Sequence, residues 1–251
     1  MSRRTILLFF IISILILNNT CIGQKEQIRP ELCTMMGRLE PVPGEKLFGE
    51  SDFFWKKKQV SVWFMDDDGN MRDQVLRTAN LWKEYSGVQF IRSFSQQKAD
   101  IRVSFRTDGW WSYIGSDALQ VGKDSATLSL HDLYLYPGAK IRSVILHEFG
   151  HSLGLLHEHQ IPFFKIQWDS TALFAYYKKT FNVDSLWVIE NVLQKYSSNT
   201  AVACEPDIKS IMIYEIPPGL TKDGLVVPEP LELSELDKKY IKLFYEGKKC
   251  K

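Results

Sequence analysis

The sequence predicts an α+β fold, a twisted mixed sheet with helices packed on it, followed by a more irregular region that ends in a terminal helix. Three observations carry this. Short runs such as Val60, Val62, Phe64 and Ile101, Val103, Phe105 alternate apolar residues as strands do. Longer stretches repeat apolar residues at helical spacing, and the two kinds of segment succeed one another with turns between them. The chain has 251 residues, 45% hydrophobic and 24% charged, which suits one domain with a substantial core. A formal net charge of +1, with no dense basic block, excludes nucleic acid as an expected partner.

Taken in order, Arg3 and Arg4 precede an apolar run from Ile6 to Leu17 broken only by Ser13, the pattern of a secretory signal over residues 1–23. The run is too short to span a bilayer. Cys21 and Gly23 are small residues placed for cleavage before Gln24, so a secreted product, extracellular or periplasmic, is expected. The alternative is a lipid anchor on Cys21, the one route to a membrane; Leu17 lies one position too far from Cys21 for a good lipoprotein signal. Loss of Cys21 would leave Cys33, Cys204 and Cys250, an odd number where thiols usually pair. Residues 24–46 carry Pro30, Gly37, Pro41, Pro43 and Gly44 and read as a leader or short pro-segment, not a packed element, with the domain proper at 47–251.

Within the domain, a strand at Val60–Phe64 runs into the turn Asp66-Asp67-Asp68-Gly69. A helix from about Met71 to Tyr85 follows, with Val75, Leu76, Ala79, Leu81 and Trp82 on its stripe, and it ends at Gly87. Strands are expected at Val88–Ile91, Ile101–Phe105 and Ala126–His131. The next helix, Ile141–Leu153, is apolar at Val144, Ile145, Phe149 and Leu153 and stops at Gly154. Two weaker helical patterns lie between Thr171 and Tyr196, then a Pro-rich irregular stretch. Ser234 caps the last helix, with Asp237 at the capping-box position where Glu is commoner.

Four of the five histidines fall in the string His147-Glu148-Phe149-Gly150-His151-Ser152-Leu153-Gly154-Leu155-Leu156-His157-Glu158-His159. Residues four apart on a helix share a face, so His147 and His151 can aim at one point. Zinc(II) at a catalytic site takes three protein ligands and keeps a position for water, and Gly154 allows a sharp turn that brings His157 round as the third. Glu148 then sits beside the metal as general base for a water held on it. A lone helical histidine is usually a satisfied core or surface residue, but five fixed positions with one spacing are not so explained. A catalytically silent peptide-binding module using the same cleft is the alternative, and an intact Glu148 counts against it.

The pattern resembles that of the metzincins, and Glu158 directly after the third histidine is similar to the astacin family. Ser210-Ile211-Met212-Ile213-Tyr214 resembles the astacin Met-turn, in which Met212 would floor the metal and Tyr214 would ligate zinc and later stabilise the tetrahedral intermediate. Gly109 to Gly115 is similar to the substrate-binding edge strand, with Trp111, Ser112 and Tyr113 holding an extended protein or peptide substrate. The resemblance implies a two-lobed zinc metalloendopeptidase with the metal between the lobes; a monomer is expected. It also implies that Glu158 is linked to the N-terminus after activation. The usual family disulfides are absent; Cys250 matches the C-terminal family cysteine, with Cys204 its candidate partner. Related zymogens are silenced by a Cys or Asp from the pro-segment. Here Cys33 is the candidate latency ligand, with Glu50 and Asp52 as carboxylate alternatives and a disulfide or free thiol as the other readings of Cys33.

Overall fold

The computed structural model describes residues 33–36, 53–66, 70–196 and 205–248. Strand β1 (Cys33–Met36) precedes β2 (Gln59–Phe64), where Val60, Val62 and Phe64 are buried at alternate positions as their period requires. β2 pairs in parallel with β3 (Gln89–Arg92) and β4 (Ile101–Ser104), and β4 in parallel with β6 (Leu128–Leu130). β5 (Trp110–Tyr113) runs antiparallel to β6, and β1 lies parallel to β5. The result is one six-stranded sheet in the order β1-β5-β6-β4-β2-β3, mixed as the alternation of strand and helix predicts.

The leader departs from its sequence reading. Cys33–Met36 is packed, with Cys33 opposite Trp110 and Met36 opposite Tyr113. A four-residue strand carries little pattern of its own, and its partner lies far along the chain, so nothing local announces it. β5, expected at the sheet edge, is therefore an interior strand while β1 covers it.

The helix expected over Met71–Tyr85 forms in three pieces: α1 (Met71–Ala79), a 3₁₀ turn (Asn80–Trp82) and α2 (Lys83–Ser86), ending at Gly87 with φ 70°. Tertiary bonds tighten it in the middle. Asn80 Nδ2 donates to Phe90 O and its Oδ1 accepts from Phe90 N, both at 2.9 Å, and Trp82 Nε1 donates to Leu146 O at 3.0 Å. Leu81 is turned outward as a consequence, 38% exposed. Helix α3 (Gly138–Ser152) begins three residues before the expected start, behind Pro137, and nearly every residue from Ile141 on is buried. It is the central helix, buried along most of its length, so the polar groups it carries into the interior need partners there.

Past Gly154 the chain is less regular. α4 (Ser170–Phe181) and α5 (Ser185–Val188) are capped by Asp169 and Asp184, and α5 runs into a π turn (Ile189–Leu193). They form a second core with Ile213, Ile216, Leu220 and Val227. α6 (Glu235–Tyr245) carries the full capping box of Ser234 and Asp237 and returns Ile241 to the first core. Among the described residues no helix is long and apolar enough to cross a membrane.

Candidate active site

Helix α3 presents His147 and His151 one turn apart, their ring centroids 4.8 Å from each other. The helix stops at Leu153, and Gly154, at φ 101°, redirects the chain; a Cβ there would lie 3.0 Å from the Phe54 ring. His157 thus returns to within 4.7 Å of His151 and 5.3 Å of His147, centroid to centroid. All three imidazoles are buried.

Their Nδ1 atoms face carbonyl oxygens: Ile211 O at 2.6 Å from His147, Leu155 O at 2.8 Å from His151, and Gln160 Oε1 at 3.3 Å from His157. A carbonyl only accepts, so each Nδ1 carries the proton and each Nε2 is left a bare lone pair. Burial lowers the basicity of all three, His147 to about 4, so they stay neutral. Two such lone pairs, on His151 and His157, stand 3.2 Å apart, and that of His147 is buried with no partner among the described residues. A cation shared by the three satisfies nitrogens so arranged.

Cys33 completes the set. Its Sγ is 3.5 Å from His157 Nε2 and 3.7 Å from His151 Nε2, and the four ligand atoms lie within 4.8 Å of one another. Tetrahedral zinc at ordinary bond lengths would separate nitrogen pairs by about 3.3 Å and nitrogen from sulfur by about 3.6 Å. The donor set therefore fits zinc in kind, and the spacings among His151, His157 and Cys33 fit it as well. Cys33 forms no disulfide among the described residues; burial, then Glu148, pushes its thiol up in the absence of a metal.

Glu148 is fully buried, with Oε2 unpartnered among the described residues, and lines the same cavity as Cys33. Burial raises its carboxyl to about 8, an effect the neighbouring Cys33 thiol opposes. Tyr214 packs its ring against His157 (4.5 Å) and His159 (4.3 Å), and its hydroxyl donates to the main-chain oxygen of Cys33. Met212 lies under α3, where a Cβ on Gly150 would run into its Sδ. This explains a glycine inside the central helix. A cavity of about 130 Å³ opens beside His147 and Glu148, walled by Val144, Tyr177, Ile213 and Tyr214, room enough for a substrate side chain.

Of the expected substrate strand, Trp111 and Ser112 are buried and Tyr113 half-buried. Trp111 Nε1 donates to Asp108 O, and Ser112 Oγ bonds Ser152 Oγ at 2.9 Å, tying β5 to the end of α3. Glu158 is largely buried, accepts from Asp207 N at 2.9 Å, and is raised by burial to about 7. Cys21, Cys204, Cys250, Glu50 and Asp52 lie outside the described residues. Sequence reasoning missed Gln160 and Tyr196, which sit behind His157; their only signal was Gln160's position within three residues of a ligand. It also missed the tie from α6 to the Met-turn: Asp237 accepts from Ser210 Oγ at 2.6 Å and Ile211 N at 2.8 Å.

A sequence profile of the astacin family of peptidases matches residues 49–217. A solved structure of myroilysin is 30% identical over 77% of this chain and 95% of its own, with a TM-score of 0.72. A crystal structure of myroilysin is 27% identical over 86% and 90%, with a TM-score of 0.61. High choriolytic enzyme 1, a hatching enzyme zinc-protease from the medaka fish Oryzias latipes, shares the fold at 16% identity over 82% and 99%, with a TM-score of 0.53. Comparison with curated protein sequences finds no match. Fold, donor set and these likenesses together define a zinc metalloendopeptidase domain acting on protein or peptide substrates. The chain belongs to the astacin family.

Proposed function

We propose that this protease is exported, that Glu148 is its general base and Tyr214 its oxyanion donor, and that Cys33 keeps it latent until the leader is removed. The double engagement of Cys33 carries this reading. One thiol fills the fourth position about the three histidine nitrogens and also occupies Glu148. Neither an attacking water nor a scissile carbonyl can enter while it is there.

Zinc held by His147, His151 and His157 would supply Lewis acidity toward the carbonyl and acidify the attacking water. Glu148, freed from Cys33, takes the water's proton on Oε2 and delivers it to the leaving nitrogen; a carboxyl raised toward neutrality suits both transfers. Tyr214 remains protonated because burial raises its phenol. Once the Cys33 carbonyl withdraws, its hydroxyl is available to the developing oxyanion. Departure of β1 also uncovers the N–H and C=O groups of β5, on which an extended substrate would add as a strand beside Trp111, Ser112 and Tyr113.

The test is hydrolysis of a fluorogenic peptide library by the leader-processed chain, the uncleaved chain, uncleaved Cys33→Ser and processed Glu148→Gln, with zinc content measured in each. Full activity in the processed chain, partial activity in uncleaved Cys33→Ser, where β1 still covers β5 and its carbonyl still holds Tyr214, and silence in the other two are expected. A silent uncleaved Cys33→Ser assigns latency to β1 and removes it from the thiol; an active Glu148→Gln removes the base. Export rests on the basic and apolar start of the chain. Mass analysis of the mature protein separates cleavage before Gln24 from an acylated Cys21.

A further inference from the structure

The structure assigns to Gln160 a role beyond the ligand set: it is the positioning residue that fixes the tautomer and direction of His157. This rests on the reading of His147, His151 and His157 as the zinc ligands. The three histidines are not held alike. His147 and His151 stand on α3 and give their Nδ1 protons to main-chain oxygens, Ile211 O and Leu155 O, which no substitution removes. His157 stands on the loop after Gly154 and gives its proton to a side chain.

That side chain has no freedom. Gln160 is 3% exposed. Its Nε2 donates to Glu190 O at 2.9 Å and Gln194 O at 3.0 Å, near the two ends of the π turn that follows α5. Both are acceptors only, so the amide nitrogen must face them and Oε1 must face the site. There it accepts from Tyr196 Oη at 2.7 Å and from His157 Nδ1. The Gln160 main-chain oxygen also accepts from Tyr196 N at 2.9 Å. Because Oε1 cannot donate, His157 is held with its proton on Nδ1 and its Nε2 lone pair toward the metal position. The π turn has a function on this account: its backbone orients an amide, which orients a ligand. Exchange of Gln160 for an apolar residue would leave the ring free to rotate or shift tautomer.

The experiment compares zinc affinity of the full chain with Gln160→Leu and Gln160→Glu, by competition against a chromophoric chelator, beside thermal unfolding without metal. Gln160→Leu, which cannot accept, is expected to weaken zinc binding roughly 10- to 100-fold. Gln160→Glu still accepts from His157, so it should regain most of that affinity although it faces Glu190 O and Gln194 O and melts earlier than wild type. Affinity unchanged in Gln160→Leu, or falling equally in both variants in step with melting, overturns the proposal. Nitrogen-15 spectra of the metal-free wild-type chain test it without any variant: His157 protonated on Nδ1 supports it, and protonation on Nε2 overturns it. A wild type that binds no zinc would refute the ligand reading, while the tautomer would still decide the role of Gln160.

Discussion

In the N-terminal lobe the strand ladder, α1 and α3 share one core in which Trp82, Phe90, Phe149 and Ile145 are fully buried. Past Gly154, by contrast, the second core is built on Tyr177, Leu173 and Val192 with partly exposed aromatics around them, and isolated bridges join Trp168 to Thr221 and Ile216 to Val227. The first lobe holds its functional groups by backbone: His147, Glu148 and His151 stand on one helix, and the two imidazoles are fixed by main-chain oxygens, Ile211 O and Leu155 O. The second holds its own by side chains, with Gln160 behind His157 and Asp237 behind the Met-turn. Rigid periodic structure thus carries the reacting groups, and irregular structure aims what completes them.

The strongest way to sharpen this contrast is to alter a reacting group on α3 that nothing else depends on. Among the described residues Glu148 Oε2 is buried without a partner. Glu148→Gln in the processed chain is expected to lose about 10²- to 10⁴-fold in hydrolysis, the span of a lost general base, with zinc content and melting temperature retained. A parallel loss of zinc would mean that Glu148 is also structural.

Next in size is the core itself. Trp82 is fully buried and donates to Leu146 O on α3, so Trp82→Ala removes a large side chain and the second bond to a helix carbonyl. The expected cost is about 3–5 kcal/mol, read by denaturant unfolding. The same exchange at Trp187, which is only half-buried in the second core, should cost distinctly less. Equal costs would erase the difference between the lobes.

The same contrast explains what the sequence revealed. Regular elements announce themselves: Val60, Val62 and Phe64 alternate and form β2, and the His147 to His151 spacing is a helical spacing. The terminal capping box was equally readable, yet the reason for Asp over Glu at 237 was not. Asp237 closes the box and at the same time reaches Ser210 and Ile211, a reach set by tertiary approach. Gln160 and the π turn have no periodicity to betray them, and β1 depends on a partner strand far along the chain. The odd cysteine count nevertheless pointed to Cys33, because a thiol without a partner needs some other occupation.

Where the lobes meet, the expected effects are smaller. Gly150 on α3 lies against Met212, and Gly150→Ala would drive a methyl into that side chain. Methionine is flexible, so about 1–3 kcal/mol is expected, with zinc affinity falling as the floor shifts. Unchanged stability would show that the second lobe yields at no cost, contrary to a Met-turn tied down by Asp237.

The smallest effect isolates that tie. Ser210 Oγ donates to Asp237 Oδ1 at 2.6 Å and accepts from Met212 N at 3.0 Å. Asp237 still accepts from Ile211 N at 2.8 Å when the hydroxyl is gone, and Ile211 O still receives the His147 proton. Ser210→Ala therefore removes two bonds, one to a charged acceptor and one from Met212 N, and leaves the path to the ligand intact. About 2 kcal/mol of stability should be lost, some 4–8 °C in melting temperature for a domain of this size, with zinc affinity unchanged. Loss of zinc affinity instead would mean that the Met-turn is aimed by Ser210, and that the main-chain hold on His147 is itself only as firm as a side chain in the second lobe.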